Sequence, residues 1–218
     1  MNNERPIIRL KPKSDSRRLR RGFPWVYDNE LVTDRRTRAL TAGSMATLED
    51  ADRKPIATVT VNPASKIFAR LMDRDPDAII DRDWIAARLE RALITRTALF
   101  DAPFYRLIHA EADGFPGVMV DRFGDAAVFQ PNAAWAEVRL EEIAEVLAEV
   151  TGVRAIIKNG TGRARGLEGL DDASGSLRGS IKAPVPVPMN GAIYMADLLG
   201  GQKTGLFYDQ RPNHAFVA

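Results

Sequence analysis

Residues 106–130 read RLIHAEADGFPGVMVDRFGDAAVFQ, and this stretch decides the fold class. Alternating apolar residues predict strands over 106–111, 118–121 and 126–130. Asp113-Gly114 and Pro116-Gly117 are turn formers that separate the first two strands. Because helical patterns flank the stretch on both sides, the sequence predicts an α+β fold.

Two helices are predicted around this stretch. Apolar residues near helical spacing predict a long amphipathic helix from residue 80 to about residue 100 and another over 134–150. A β-branched run at 153–158 follows, and strands at 181–188 and 192–198 flank a hairpin signal at 189–191. We therefore expect a central domain over 76–190, with a leading helix and a strand-strand-helix-strand-strand order.

The first 75 residues are predicted to form a separate small β-rich unit. Strand patterns lie at 7–10, 44–49, 56–61 and 67–71, and Ser14 or Asp15 can cap a short helix that Gly22 ends. Pro76 disfavours helix in the residue before it, so the segment 73–76 marks the boundary.

Composition excludes several classes of protein. With 45% hydrophobic residues among 218, the chain can bury a core, and disorder is not expected. Zero cysteines exclude disulfides, thiolate zinc sites and a cysteine nucleophile within these residues. No apolar stretch approaches the roughly 18 residues of a membrane span, and no signal peptide is visible. We expect a cytoplasmic protein without membrane contact.

Positive charge is concentrated at one end of the chain. Residues 1–38 carry 11 lysines and arginines against 5 acidic residues, whereas residues 39–218 carry 20 against 24. A local basic patch on an acidic body can hold nucleic-acid phosphates through counterion release, although a solvated basic helix end is the competing interpretation. Trp25, with Phe23, could stack on an unpaired base, but we favour a role for Trp25 in the core of the N-terminal unit. The predicted RNA-binding residues are Lys11, Lys13, Arg17, Arg18, Arg20, Arg21 and Trp25.

Other polar clusters are weaker candidates for a site. His109, Glu111 and Asp113 would share one face of a strand, yet carboxylates beside a tight turn commonly bind backbone N–H groups, and we favour that structural role. We predict no metal site and no catalytic residue within the chain. The glycines at 160, 162 and 166 do not have dinucleotide-fingerprint spacing, so we interpret 158–166 as a loop, in which Lys158, Arg163 and Arg165 could contact RNA. The segment 200–204 lacks the glycine that precedes the lysine of a phosphate-binding loop.

Four segments in chain order resemble one enzyme family. The block RRLRRGFPWV at 17–26, preceded by Leu10 and Lys11, resembles the PUA domain that opens the large-subunit ribosomal RNA cytosine-C5 methyltransferases dependent on S-adenosylmethionine (SAM). The string from His109 to Arg122 is similar to the start of that family's central domain. RGLEGL at 165–170 and KTGLFYDQR at 203–211 match later signatures of the family. The resemblance covers essentially the whole chain.

The resemblance implies a PUA domain shaped as a small β-barrel (1–75), the central domain (76–190) and a Rossmann-like methyltransferase domain, to whose beginning the hairpin and tail at 191–218 would belong. Only seven residues follow Arg211, and a cytosine-C5 methyltransferase usually adds a cysteine thiolate to C6, which this chain lacks. We therefore expect the catalytic domain to be missing, and the chain alone to be inactive and not to bind SAM.

The resemblance also assigns roles to residues. It implies that the 203–211 segment lies near the cofactor, through Lys203, Thr204, Gly205, Asp209, Gln210 and Arg211. The expected function is the RNA-recognition and scaffold region of a SAM-dependent ribosomal RNA methyltransferase. The alternatives are a stand-alone, non-catalytic RNA-binding protein, and a scaffold that forms a homodimer through an exposed hairpin within 181–211.

Overall fold

The N-terminal part of the chain forms one five-stranded sheet. This computed structural model describes residues 5–181, 184–201 and 204–217. The sheet has the order β1-β3-β4-β5-β2, with β1 parallel to β3 and the other pairs antiparallel. Its strands are β1 (Ile7–Arg9), β2 (Trp25–Tyr27), β3 (Met45–Glu49), β4 (Pro55–Val61) and β5 (Ile67–Asp73), and its helices are α1 (Ser16–Arg20) and α2 (Arg35–Arg38). Ile8, Leu19, Val26, Leu48 and Val59 are buried in one core, so α1 is held on the sheet by its single leucine.

A second five-stranded sheet follows the long helix α3 (Arg82–Leu99). Its strands are β6 (Phe104–His109), β7 (Val118–Phe123), β8 (Ala126–Pro131), β9 (Ala155–Lys158) and β10 (Gly175–Arg178), in the order β10-β9-β8-β7-β6. Only the β8–β9 pair is parallel. A parallel pair needs a crossover, and here α4 (Ala134–Val138) and α5 (Leu140–Thr151) supply it.

The two faces of the second sheet bury different elements. Along β8, Ala127 and Phe129 join a core with α3 and α5, whereas Ala126 and Val128 join a core with the C-terminal part of the chain. This alternation is the period-two pattern of a strand that is covered on both faces. The C-terminal part that covers this second face consists of the hairpin β11 (Val185–Met189) and β12 (Ala192–Ala196) and of residues that include Leu198 and Tyr208. The remaining α-helices are α6 (Arg163–Leu167) and α7 (Arg211–Val217).

These observations correct the predicted fold class. The named strands of the N-terminal sheet run from β1 to β2, and the segment after β2 returns to β1 through an antiparallel bridge between Leu10 and Leu31. The central part has three strands before the crossover helices and two after them, so the predicted strand-strand-helix-strand-strand order is wrong. The three strands predicted one by one at 106–111, 118–121 and 126–130 are observed as β6, β7 and β8. The sequence patterns missed β2, which has three residues, and β10, which is mostly exposed.

The predicted 134–150 helix is two helices, which meet at Arg139. The backbone of Arg139 leaves the helical region, at φ −108° and ψ 25°, and its guanidinium donates to Glu142 and to the carbonyl oxygen of Ile80. Among the described residues, no helix combines the length and the apolar character needed to cross a bilayer.

Candidate nucleic-acid interface

The basic helix α1 is set by local signals. The Asp15 carboxylate accepts hydrogen bonds from the backbone N–H groups of Arg17 and Arg18, as an N-cap residue does. Leu19 is buried in the N-terminal core, Arg17 and Arg21 are exposed, and Arg20 reaches the carbonyl oxygen of Pro55 at the start of β4. Together with the preceding loop, α1 lines an open depression to which Lys13, Arg17, Arg18, Arg21 and Phe23 contribute.

The structure divides the predicted RNA-binding residues into two groups. Lys11 donates to the carbonyl oxygen of Asn29 at 2.9 Å, Arg20 pairs with Asp50 at 2.7 Å, and Arg18 pairs with Glu30 while stacking 4.2 Å above the Phe23 ring. Lys13, Arg17 and Arg21 are exposed, and their side chains have no partner within the described residues. The first group holds the N-terminal unit together, and the second is free to bind a ligand.

Trp25 lies apart from both groups, at the junction of the two sheets. Its side chain is half-buried and is not part of the N-terminal core, which corrects the interpretation we favoured from the sequence. The indole Nε1 donates to the Glu111 carboxylate at 2.9 Å. Its ring meets that of Phe23 edge to face, with centroids 6.3 Å apart.

A charged network joins the sheets beside Trp25. The guanidinium of Arg70, on β5, binds Glu111 at 2.9 Å and Glu168 at 2.8 Å. Glu168 also accepts from the side chains of Asn62 and Ser65, at 2.9 and 3.1 Å. The sequence did not group Arg70, Asn62 and Glu168, and its available signals were a lone arginine in the apolar strand at 67–71 and Glu168 within the RGLEGL signature at 165–170.

Next to this network lies a cavity of about 570 Å³. We call it the junction cavity. It is lined by side chains from both sheets and from α6, among them Trp25, Lys66, Arg70, Glu111, Met119, Asn132 and Leu167. Two buried polar atoms in this lining, Arg70 Nε and Asn132 Oδ1, have no hydrogen-bond partner.

The 158–166 segment does not present the cations that its sequence suggested. Arg165 is only 1% exposed and binds Glu137 at 2.9 Å, together with the carbonyl oxygens of Pro131 and Asp171. Lys158 is buried and pairs with the same Glu137. Arg163 alone is exposed. Arg165 and Lys158 therefore stabilise the second sheet, and their buried side chains do not face an RNA ligand.

Glu137→Gln is expected to lower the free energy of unfolding at pH 7 by about 2 kcal/mol, because two buried cations lose their carboxylate. Burial tends to raise the pKa of Glu137, but hydrogen bonds from Lys158 and Arg165 outweigh it and hold the pKa below the ordinary 4.5. A depressed carboxylate pKa stabilises the fold above the unfolded-state pKa, and that contribution is lost as pH falls through the folded-state pKa.

The difference between wild type and Glu137→Gln should therefore shrink below about pH 4.5, as measured by urea unfolding at a series of pH values. A constant difference down to pH 3 would contradict the assignment of this stability to the Glu137 charge.

His109, Glu111 and Asp113 do not share a face. Strand β6 ends at His109, and residues 110–113 form a 3-10 turn that points the two carboxylates in different directions. Asp113 accepts from the backbone N–H of His109 at 2.6 Å and from Arg96 at 2.7 Å, whereas Glu111 faces Trp25 and Arg70. Within residues 5–181, 184–201 and 204–217, no group of three metal-binding side chains occurs.

The predicted cofactor-proximal segment packs on the second sheet, although Lys203 lies outside the described residues. The Thr204 hydroxyl donates to the buried Asp121 carboxylate at 2.5 Å, and Gly205 has φ +103° in a tight turn against Asp197 and Leu198. Tyr208 donates to the carbonyl oxygen of Arg122 at 2.8 Å, and burial raises the pKa of its hydroxyl.

The end of this segment lies over β6. Arg211 donates to the carbonyl oxygen of Phe104 and stacks 4.7 Å from the Phe100 ring centroid; burial lowers its pKa. Asp209 is exposed and Gln210 half-exposed, and Asp209 lines a shallow cavity of about 260 Å³ with Arg106 and His109. Thr204 and Arg211 are thus used internally, while Asp209 remains open to a ligand.

Comparisons with known proteins cover nearly all of the chain. Residues 8–74 match the family described as a PUA-like domain. Two curated relatives are named ribosomal RNA large subunit methyltransferase I. The one from Shewanella denitrificans is 34% identical over 97% of this chain and 54% of its own length. The one from Pseudoalteromonas translucida is 32% identical over 90% and 50%. The chain thus spans about half the length of these relatives.

Two solved structures share the fold. A Streptococcus mutans protein described as a SAM-dependent methyltransferase matches with a TM-score of 0.80 and 18% identity, over 97% of this chain and 54% of that one. SMU.776, described as a methyltransferase complexed with SAH, matches with a TM-score of 0.76 and 17% identity, over 96% and 52%.

These matches correct the expectation that this chain is a methyltransferase without its Rossmann-like domain. Solved methyltransferases cover 97% and 96% of it, so both five-stranded sheets belong to the fold that these structures share. The predicted inactivity and the predicted failure to bind SAM rested on that expectation, and they lose their support with it.

Proposed function

We propose that this chain takes part in SAM-dependent methylation of large-subunit ribosomal RNA, and that its N-terminal sheet binds the RNA backbone. The names of the relatives, the PUA-like match at 8–74 and the methyltransferase fold support this proposal. The observation that carries it is the depression beside α1, where Lys13, Arg17 and Arg21 are exposed without partners.

Three free cations on one surface suit a polyanion. Neutralising phosphates releases condensed counterions, and this release is the main source of affinity that is independent of sequence. The neighbouring cations make the surface rigid, because Arg18 is held by Glu30 and Arg20 by Asp50. The RNA contact is therefore assigned to Lys13, Arg17 and Arg21. Lys11, Arg18 and Arg20 form internal bonds that hold the backbone around this surface in place.

The 204–211 segment is assigned a place beside SAM as part of the same proposal. Asp209 is its exposed polar side chain, whereas Gln210 is half-exposed and hydrogen-bonds Asp209 and Asn213. Thr204, Tyr208 and Arg211 fix the segment on the second sheet. Lys203 and Gly205 belong to this assignment by resemblance alone.

Cytosine C5 as the methylated atom also rests on the resemblance. Addition at C6 requires a nucleophile, and no cysteine is present among these 218 residues. The role proposed for the residues of this chain is to bind and position RNA and cofactor. A homodimer through the β11–β12 hairpin, whose Ile193 and Met195 are exposed, stays a prediction.

Replacing Lys13, Arg17 and Arg21 together with alanine is expected to weaken RNA binding and to flatten its salt dependence. Each lost phosphate contact reduces the steepness of log K against log salt by roughly 0.7–0.9, so the loss of three contacts reduces it by about 2–3. Filter binding of a ribosomal RNA fragment at several salt concentrations measures this slope. Methyl transfer from labelled SAM, by the protein that contains this chain, should fall in parallel.

The matched control is the replacement of Arg35, Arg36 and Arg38, three exposed arginines on α2, which removes the same net charge elsewhere. This control should leave the slope within about 0.5 of wild type. Equal losses in the two triple variants would show that net charge, and not the depression, drives binding, and would refute the assignment.

A further inference from the structure

We infer that the junction cavity binds an unpaired nucleobase of single-stranded RNA. The inference rests on the proposed function and adds to it a site that reads bases. The cavity, of about 570 Å³, falls within the roughly 300–1,000 Å³ of small-molecule sites. It is larger than a single base requires, which leaves room for the attached ribose.

The walls of the cavity suit a flat, apolar ring. The indole of Trp25 forms one wall and is held in place by its 2.9 Å hydrogen bond to Glu111. Met119 and Leu167 supply aliphatic surface, and Leu167 is 63% exposed although it has a large apolar side chain. Proteins that bind single-stranded RNA stack unpaired bases on such aromatic surfaces.

Two polar atoms in the lining lack partners. Asn132 Oδ1 is an acceptor and Arg70 Nε is a donor; both are buried, and neither forms a hydrogen bond in the described structure. Neither atom is open to the cavity, so a ligand bonds to them only once the Arg70 and Asn132 side chains turn towards it. An unpaired buried polar atom is costly, and a ligand that carries both a donor and an acceptor would relieve that cost. The Watson–Crick edge of every nucleobase offers both kinds of group, whereas a purely apolar ligand offers neither.

Backbone strain occurs in the lining of the same cavity. Ala110 lines it with φ +47°, a conformation that residues other than glycine rarely adopt. Strain of this kind tends to concentrate at ligand-binding sites, where the surrounding structure maintains it.

The cavity continues into the proposed phosphate surface. Phe23 lines the basic depression, Trp25 lines the cavity, and their rings are in edge-to-face contact. Lys66 is exposed, lines the cavity and has no partner for its ammonium group within the described residues. A strand whose backbone lies on Lys13, Arg17 and Arg21 can therefore place one base beside Trp25, with Lys66 near its phosphate.

Trp25→Ala is expected to weaken binding of a single-stranded RNA of about 10 nucleotides by roughly 5- to 100-fold, the loss typical of one stacked base. Fluorescence anisotropy measures this affinity. An abasic ribose-phosphate chain of the same length should bind both proteins equally, and the salt slope should not change, because no phosphate contact is removed. Trp25→Phe keeps an aromatic face and should stay within about threefold of wild type.

Two further variants guard against a folding defect. Leu167→Ala alters an exposed part of the wall and should weaken binding about threefold without loss of structure. Phe216→Ala, at a side chain that is 92% exposed and remote in sequence from the cavity, should have no effect. Circular dichroism melting checks that each variant is folded.

The outcomes separate this inference from the proposed function. The proposed function holds if wild type binds RNA and the triple variant of Lys13, Arg17 and Arg21 has a flatter salt dependence. If folded Trp25→Ala and Leu167→Ala then bind RNA like wild type, the base site alone is refuted. If wild type binds no RNA, the proposed function fails as well. If nucleoside monophosphates displace the oligonucleotide at equal concentration, the ligand is a free nucleotide and RNA is refuted as the source of the base.

Discussion

Replacing Glu168 with alanine is expected to lower the free energy of unfolding by roughly 3–5 kcal/mol, the cost of removing one partner from a buried ion pair. The Glu168 side chain is only 3% exposed and accepts from Arg70, Asn62 and Ser65. Without it, Arg70 keeps Glu111 as its only carboxylate partner, and two neutral donors lose an acceptor. Because Glu168 follows α6, whereas Arg70 lies on β5 and Asn62 and Ser65 lie in the turn between β4 and β5, the two sheets should also separate more easily.

Urea unfolding measures the loss. The circular dichroism transition should move to lower urea, and native-state hydrogen exchange should show the N-terminal sheet opening at lower free energy than the second sheet. Glu149→Ala is the matched control, because Glu149 is 65% exposed and pairs with Arg82 at 2.5 Å on the surface. Exposed pairs contribute little, so this control should cost no more than about 0.5 kcal/mol. If Glu168→Ala lost only about 0.5 kcal/mol, the charged network around Arg70 would be refuted as the link between the sheets.

Local signals were sufficient to predict several elements. Asp15 caps α1 and Leu19 anchors it, and the long helix predicted from residue 80 to about residue 100 is observed as Arg82–Leu99. Each of these features is decided by residues a few positions apart, through capping, helical periodicity and turn formation. The strands β4 and β5 follow the same rule, because their apolar and β-branched residues are contiguous.

Charge alone could not show which cations are free. Arg163 and Arg165 have the same side chain two positions apart, yet the first is exposed and the second is buried against Glu137, 28 residues earlier. Likewise, Arg17 and Arg18 are adjacent, and only Arg18 meets Glu30. Such partners are set by the tertiary fold within each sheet unit, and no local pattern in the sequence encodes them.

The candidate base site was hidden for the same reason. Trp25, Arg70, Asn132 and Leu167 are spread over some 140 positions and meet only where the two sheets and α6 converge. The sequence showed Trp25 as an aromatic residue beside basic ones. It could not show the cavity that Trp25 lines, and the proposed stacking role depends on that cavity.

Asp121→Asn is expected to lower the free energy of unfolding by about 3 kcal/mol and to release the 204–211 segment from the second sheet. Asp121 is fully buried and accepts from Arg106 at 2.8 and 2.9 Å and from the Thr204 hydroxyl at 2.5 Å. In the wild type, the hydrogen bond to Asp121 raises the pKa of the Arg106 guanidinium. The variant loses that effect, but an arginine side chain keeps its proton at neutral pH without a carboxylate partner, so Arg106 stays charged. An amide has one acceptor oxygen and cannot replace both bonds to Arg106, and its NH₂ group would face a donor.

Hydrogen exchange of the 204–211 amides, read beside urea unfolding, tests both parts of this expectation. Thr204→Val is the matched control: it removes only the bond between the segment and Asp121, should cost about 1 kcal/mol, and should raise exchange in the segment without affecting β6 and β7. Asp121→Asn should raise exchange in all three, because Arg106 lies on β6 and Asp121 on β7. If Asp121→Asn left the segment protected, Tyr208 and Arg211 alone would hold it. In that case the placement of Asp209 and Gln210 beside SAM would no longer depend on Asp121.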